Sequence, residues 1–207
     1  MKKLLLATTN KGKIKELSEF LRALPLKIVS LKDVEIDVDI EEDGNTYIEN
    51  SQKKALLYAK LSGLAAISDD GGLEIEFLNG EPGVRSRRWL GYDATDEVLI
   101  EHLKKVVRSI PKDKRQATFT TVVSFALPNG GVWSEEGSIS GILSQEPEPK
   151  LLEGYPYRSF FYLPQLKKFY HESELTQEEM KEYNHRYKAI AKLKPMIIKI
   201  LKLSSST

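Results

Sequence analysis

Two adjacent carboxylates followed by two glycines, Asp69-Asp70-Gly71-Gly72, stand directly after an apolar run over residues 64–68. Acids at the carboxyl end of a buried strand lie where α/β proteins bind ligands. Successive strand residues point to opposite sides, so one acid can face a metal while its neighbour anchors the loop. The same four residues also make good turn chemistry, which is the competing reading. A second acidic group, Glu41-Glu42-Asp43-Gly44, precedes a helical stretch. Magnesium takes hard oxygen ligands, commonly one or two carboxylates with substrate phosphates completing the shell, and Glu42 with Asp70 supplies that set. Acids ahead of a helix can equally do no more than complement its dipole. Asn50 and Lys54 lie four residues apart and share a helix face. Lys54 either reaches a phosphate there or stays at the surface.

Thr8-Thr9-Asn10-Lys11-Gly12-Lys13 occupies a strand-to-helix junction. A helix N-terminus presents unpaired N–H groups and a partial positive charge, which suit phosphate. Thr8 and Asn10 add neutral donors and Lys13 adds a charge. The alternative is that Asn10 is an N-cap and the lysines are solvated. The Gly-x4-Gly-Lys-Ser/Thr pattern of a P-loop is missing. His185-Arg186 lies on a C-terminal helix, where an exposed pair is the ordinary expectation. His102 and His171 have no metal-ligand spacing with His185, which argues against zinc.

The elements that would position these residues follow from periodicity. Residues 4–8 read as a buried strand and 26–31 as a strand, with an amphipathic helix over 11–24 between them. Thr46 and Glu49 have capping-box spacing at the start of a helix over 46–61. A third helix spans 95–110. Long antiparallel strands over 118–127 and 131–143 meet at Pro128-Asn129-Gly130, a strong turn signal. A short strand covers 160–163, one or two helices close the chain over 176–203, and 204–207 reads as a frayed tail. The pattern predicts one α/β domain over residues 1–203, a mixed sheet with helices on both sides and a substrate cleft between two lobes.

Composition narrows the classes. The chain has 207 residues, 41% of them hydrophobic, enough for a full core. Charged residues make up 29%, yet the net charge is only +1, unlike a protein that coats nucleic acid. The lysines near the C-terminus alternate with Ile, Leu and Met, which reads as a packing helix rather than a nucleic-acid surface. The absence of cysteine excludes disulfides, thiolate metal sites and Cys nucleophiles. An apolar strand from the first residues leaves no room for a signal peptide, and no run reaches the roughly 20 residues of a membrane span. The expectation is a cytoplasmic protein without a membrane or nucleic-acid partner.

Taken together, these segments resemble the inosine/xanthosine triphosphate pyrophosphatase family, also called Ham1-like. Ala7–Lys13 matches its opening Thr/Ser-x-Asn-x-x-Lys motif, and residues 42–50 with Lys54-Ala55 resemble its Glu-Thr-Gly-x-Thr-Phe-x-Glu-Asn segment. Ser68-Asp69-Asp70-Gly71-Gly72-Leu73 resembles its Asp-Asp-Ser-Gly-Leu centre. Asn79-Gly80, Pro82-Gly83-Val84, Ser86, Arg88 and Asp93-Ala94-Thr95-Asp96 continue the match, and His185-Arg186 resembles its closing Ser-His-Arg. Six motifs in order are a specific signal. The resemblance implies an elongated mixed sheet with a central cleft, a homodimer, and hydrolysis of a nucleoside triphosphate to monophosphate and pyrophosphate. It implies Asp70 as catalytic carboxylate and, with Glu42, as magnesium ligand. Thr8, Thr9, Asn10, Lys13, Asn50, Lys54 and Gly71 would lie near the triphosphate; Tyr155, Tyr157, Arg158, His185 and Arg186 would meet the nucleobase.

The departures cluster on the base side. The family's Phe-Gly-Tyr-Asp-Pro is here Tyr155-Pro156-Tyr157-Arg158-Ser159; its lysine before Ser-His-Arg is Met180, its serine is Asn184, and Gly71 replaces a serine. The metal and phosphate half is kept and the base-reading half is rebuilt. A deaminated purine substrate such as ITP, dITP or XTP is the leading expectation. The alternatives are shifted or relaxed base specificity and a catalytically weak nucleotide-binding homologue.

Overall fold

The computed structural model describes residues 1–171 and 174–203. The expected tail, 204–207, lies outside the described residues. Seven strands form one sheet in the order β2-β1-β3-β4-β5-β6-β7. They are β1 (Lys2–Leu6), β2 (Leu26–Ser30), β3 (Ala65–Ile75), β4 (Gln116–Ala126), β5 (Val132–Leu143), β6 (Phe161–Leu163) and β7 (Lys168–Phe169). β1 runs parallel to β2 and β3, while β5, β6 and β7 are antiparallel, so the sheet is mixed. The helices are α1 (Lys11–Leu21), α2 (Tyr47–Ser62), α3 (Asp96–Ser109), α4 (Gln177–Glu182) and α5 (His185–Ile200). The chain divides into two compact units. One comprises Met1–Asp70, Thr121–Gly137 and Arg186–Thr207; the other comprises Gly71–Thr120 and Ser138–His185.

In the first unit, strand alternation decides which helix meets which residue. Leu4, Leu6, Ala65 and Ile67 pack with Leu17, Phe20 and Leu21 of α1 and with Ala189, Ile190, Leu193 and Ile197 of α5. Leu5, Ala7 and Ala66 pack with Ala55, Tyr58 and Ala59 of α2. A strand covered on both faces is apolar throughout, which is why residues 4–6 are an unbroken leucine run. The same alternation carries forward along β3. Asp69 falls on the α1/α5 face, and Ser68 and Asp70 fall on the α2 face.

α2 begins at the expected capping box, in which Thr46 and Glu49 each satisfy the other's backbone N–H. It ends at Gly63, whose φ of 67° lies in the left-handed region. The 128–130 turn closes the β4–β5 hairpin as expected, with Leu127 N donating to Gly131 O at 2.8 Å. In the second unit, Leu99, Ile100, Leu103 and Val107 of α3 join Phe119, Tyr157, Phe160, Phe161 and Tyr170 in a single apolar core.

One expectation is overturned. β3 does not stop at Ser68, and Asp69-Asp70-Gly71-Gly72 is neither a turn nor a strand end. The strand continues to Ile75, and neither Gly71 nor Gly72 is among the glycines of positive φ. Pairing on both sides of β3 outweighs the local turn preference of those residues.

Candidate active site

The two acids of β3 lead separate lives. Asp69 is fully buried, and its Oδ2 accepts from Arg186 Nε at 2.9 Å and lies 3.3 Å from Lys13 Nζ. The other end of Arg186 pairs with Glu16 of α1. Burial opposes ionisation of Asp69, but the charges of Arg186, Lys13 and Lys54 outweigh it and hold the carboxyl well below the usual carboxylate range. Asp69 is therefore an ionised anchor for two cations. Its Oδ1 has no hydrogen-bond partner among the described residues.

Asp70, on the α2 face, has a different environment. Its Oδ2 accepts from Asn50 Nδ2 at 3.0 Å. The amide of Asn50 cannot flip without loss, because its Oδ1 accepts from Gly44 N at 2.8 Å. A Cβ on Gly44 would meet that same Oδ1 at 2.7 Å, so the bond requires glycine there. Burial pushes the Asp70 carboxyl up and the charge of Glu42 adds to it, against the opposing pull of Lys54, Lys13 and Asn50. Glu42 goes the other way. Burial raises it, but Lys54 and Lys13 hold it low. Lys54 is buried, pairs with Glu42, and donates to Asp69 O at 2.8 Å. Burial disfavours its charge, but Glu42, Asp70 and Asp69 keep it protonated beyond the usual lysine range.

Around β3 the carboxylates of Glu16, Glu42, Asp69 and Asp70 face the cations of Lys13, Lys54 and Arg186, four charges against three. Among the described residues, Asp70 is the acid of these four whose side chain has no cationic hydrogen-bond partner. Among the described residues no three His, Cys, Asp or Glu side chains converge into a complete metal cage. That fits magnesium, which dehydrates reluctantly and takes only one or two carboxylates.

Asn10 caps α1, its side chain accepting from Lys13 N at 3.0 Å, and Asn10 N in turn donates to Thr8 Oγ1 at 3.2 Å. Thr9 is exposed. The surface alternative for Lys54 fails, since the residue is 7% exposed, and the same holds for His185 and Arg186, both buried. Glu42 does not serve as a dipole partner; it pairs with Lys54 well inside α2.

In the second unit, the guanidinium of Arg158 lies 3.8 Å from the Tyr155 ring centre and 4.5 Å from that of Tyr170. Tyr170 OH and His185 Nδ1 are 2.9 Å apart, and the His185 ring stacks on Phe119. Tyr157 is a core residue whose hydroxyl donates to Ser86 O at 2.6 Å, and burial pushes that hydroxyl above the usual tyrosine range. Gly71 follows Asp70 within β3.

Residues 4–196 match the sequence profile of the Ham1 family. The chain belongs to the Ham1 family. It is 39% identical over 190 residues to a dITP/XTP pyrophosphatase of Desulforamulus reducens, covering 92% of each chain. It is 36% identical to a dITP/XTP pyrophosphatase of Clostridium perfringens, covering 98% of this chain and all of that one. The solved structure of a HAM1 protein from Coxiella burnetii superposes with a TM-score of 0.80 at 32% identity, over 96% of this chain and all of that one.

Within this Ham1 chain, the replaced positions are not loose insertions. Pro156, Arg158, Ser159 and Asn184 are buried, and Met180 packs against the core of the second unit. The sequence reading missed Glu16 and Tyr170. Glu16 sits three residues from Lys13, so both share a face of α1. That spacing placed Glu16 beside the site, but its ion partner Arg186 is 170 residues away and gave no local signal. Tyr170 gave none, standing in a short segment with no periodicity.

Proposed function

We propose that this chain hydrolyses nucleoside triphosphates, with deaminated purine nucleotides such as ITP, dITP and XTP preferred, to the monophosphate and pyrophosphate. The observation that carries the reading is the contrast between the two acids of β3. Asp69 is locked by cations, while Asp70 is held by the neutral Asn50 and pushed up by burial and by Glu42. A carboxylate so raised is suited to accept a proton from an attacking water. Asn50 fixes its orientation, and Lys13 meets phosphoryl oxygens at the N-terminus of α1, where the partial positive charge of the helix dipole adds to the attraction. Lys54 is committed to Glu42 and to Asp69 O, and it acts by holding Glu42 in place.

Glu42 and Asp70 would hold Mg2+, which when bound neutralises charge on the phosphates. No covalent nucleophile is required. On the base side, Tyr155, Arg158 and His185 are the groups proposed to meet the ring, and Arg158 brings donors for the carbonyl at position 6 of a deaminated purine. The side chain of Arg186 serves Asp69 and Glu16 instead. Among the described residues no helix is long and apolar enough to cross a membrane. A cytoplasmic homodimer completes the proposal, and sedimentation at micromolar concentration tests the stoichiometry.

A panel of ITP, dITP, XTP, GTP, ATP and CTP with magnesium, scored for pyrophosphate and for orthophosphate, tests the reading. Pyrophosphate release with ITP or XTP ahead of ATP supports it. Turnover of every base at equal efficiency would favour relaxed specificity, and no turnover would leave a nucleotide-binding homologue.

A further inference from the structure

Four buried or half-buried serines join α2 to the sheet beside the site. Ser51 Oγ on α2 donates to Ser124 Oγ on β4 at 2.8 Å, with Ser68 O 3.4 Å away. Ser68 Oγ on β3 donates to the backbone carbonyl of Ser51 at 2.5 Å. Ser124 and Ser134 of β5 share a hydroxyl bond of 2.8 Å, and Gln52 Nε2 of α2 donates to Ser134 Oγ at 3.0 Å. Ser51, Ser68 and Ser124 are each 0% exposed.

Buried hydroxyls must be bonded to be tolerated, and alanine would fill the same space without that demand. Bonded hydroxyls bring direction. A hydrophobic contact tolerates a slide along the helix axis, but a chain of hydroxyl bonds at 2.8 Å does not. Sequence places the tether where a slide matters. Ser51 follows Asn50, and Ser68 precedes Asp69 and Asp70. The helix is pinned one residue from the amide that holds Asp70, and the strand is pinned one residue before the acids. A slide of α2 by one residue is about 1.5 Å, enough to break both Asn50 Nδ2 to Asp70 Oδ2 and Lys54 Nζ to Asp69 O.

We infer that Ser51, through the hydroxyl chain linking Ser68, Ser124 and Ser134, is a positioning residue that fixes the axial register of α2 and so the Asn50–Asp70 contact. The kinetic part of the test rests on the proposed pyrophosphatase activity; the spectroscopic part does not.

Ser51→Ala and Ser124→Ala remove the same bond from its two ends. With ITP and magnesium, each should lower kcat about 10-fold with KM within about 2-fold, because small misplacements at a reacting centre act on the transition state. Combining the two should cost no more than the worse single variant. Ser62→Ala is the control. It removes a bond to Tyr58 O at 2.7 Å at the far end of the same helix and should lower Tm by a comparable few degrees without touching kcat. The second readout is the side-chain amide signal of Asn50 in a nitrogen–proton correlation spectrum of the metal-free protein. It should shift or broaden in Ser51→Ala and stay put in Ser62→Ala. Should Ser51→Ala fail to fold, Ser124→Ala carries the same expectations. A fall in Tm with kcat and the Asn50 amide both unchanged would overturn the inference and leave the serines as stabilising bonds only. If the parent hydrolyses no triphosphate, an unmoved Asn50 amide overturns it by itself.

Discussion

Replacing Asp70 with asparagine should disable the enzyme and stabilise the protein. The substitution keeps the shape and keeps an oxygen for Asn50 Nδ2, now at 3.0 Å from Asp70 Oδ2. It removes the charge that burial and Glu42 disfavour. Loss of a general base lowers kcat by at least ~100-fold. Relief of such functional strain commonly adds about 0.5–2 kcal/mol, and for a chain of this size each kcal/mol moves Tm by roughly 2–4 °C. The sign with pH follows from the raised carboxyl. Between its ordinary value of 3.8 and its higher folded value, the folded state binds more protons than the unfolded one, so stability falls as pH rises. The advantage of Asp70→Asn should therefore be larger at neutral pH and fade below about pH 3.8, where both states come to hold the proton. Urea melts of parent and variant in EDTA at pH 7 and pH 3.5, beside ITP turnover with magnesium at pH 7, decide it. Near-parental turnover would refute the catalytic role. A variant less stable at pH 7 would refute the account of the carboxyl's environment.

Lys13→Ala should raise KM by a similar factor for ITP and for GTP, since phosphate contacts carry no base information; a penalty confined to one base in steady-state kinetics would move Lys13 out of the phosphate site. Glu42→Ala should raise the magnesium concentration needed for half-maximal rate, read from a metal titration at saturating ITP, and an unchanged titration would remove Glu42 from the metal set. Arg158→Ala should lower kcat/KM for ITP on the order of 10-fold per lost charged hydrogen bond, and Met180→Lys should change the ITP-to-GTP ratio more than the overall rate. Equal turnover of ITP, GTP and ATP before and after both changes would show that these residues do not read the base.

Much of the site was legible because strand and helix periods carry chemistry with them. The alternation that sends Leu4 and Leu5 to opposite faces of β1 also separates Asp69 from Asp70. The capping box at Thr46 and Glu49 fixed where α2 starts, and hence that Asn50 and Lys54 share a face. What sequence could not reach were pairings over long separations. Arg186 and Asp69 are 117 residues apart, and Arg186 and Glu16 are 170 apart. No local period announces that a helix arginine near the C-terminus will bury itself between two acids of the first half. The persistence of β3 through Gly71-Gly72 was hidden for the same reason. Local turn chemistry was visible, whereas the neighbouring strands that override it are known only once the sheet is assembled.

Hydrolysis of ITP in water enriched in oxygen-18, with magnesium present, tests the central claim most directly. Attack at the α-phosphorus places one labelled oxygen in IMP and none in pyrophosphate, and mass spectrometry of the products reads both. Labelled IMP with unlabelled pyrophosphate is the predicted result. Label in pyrophosphate, or orthophosphate released with IDP, would contradict the account of Asp70 as the base for attack at that phosphorus.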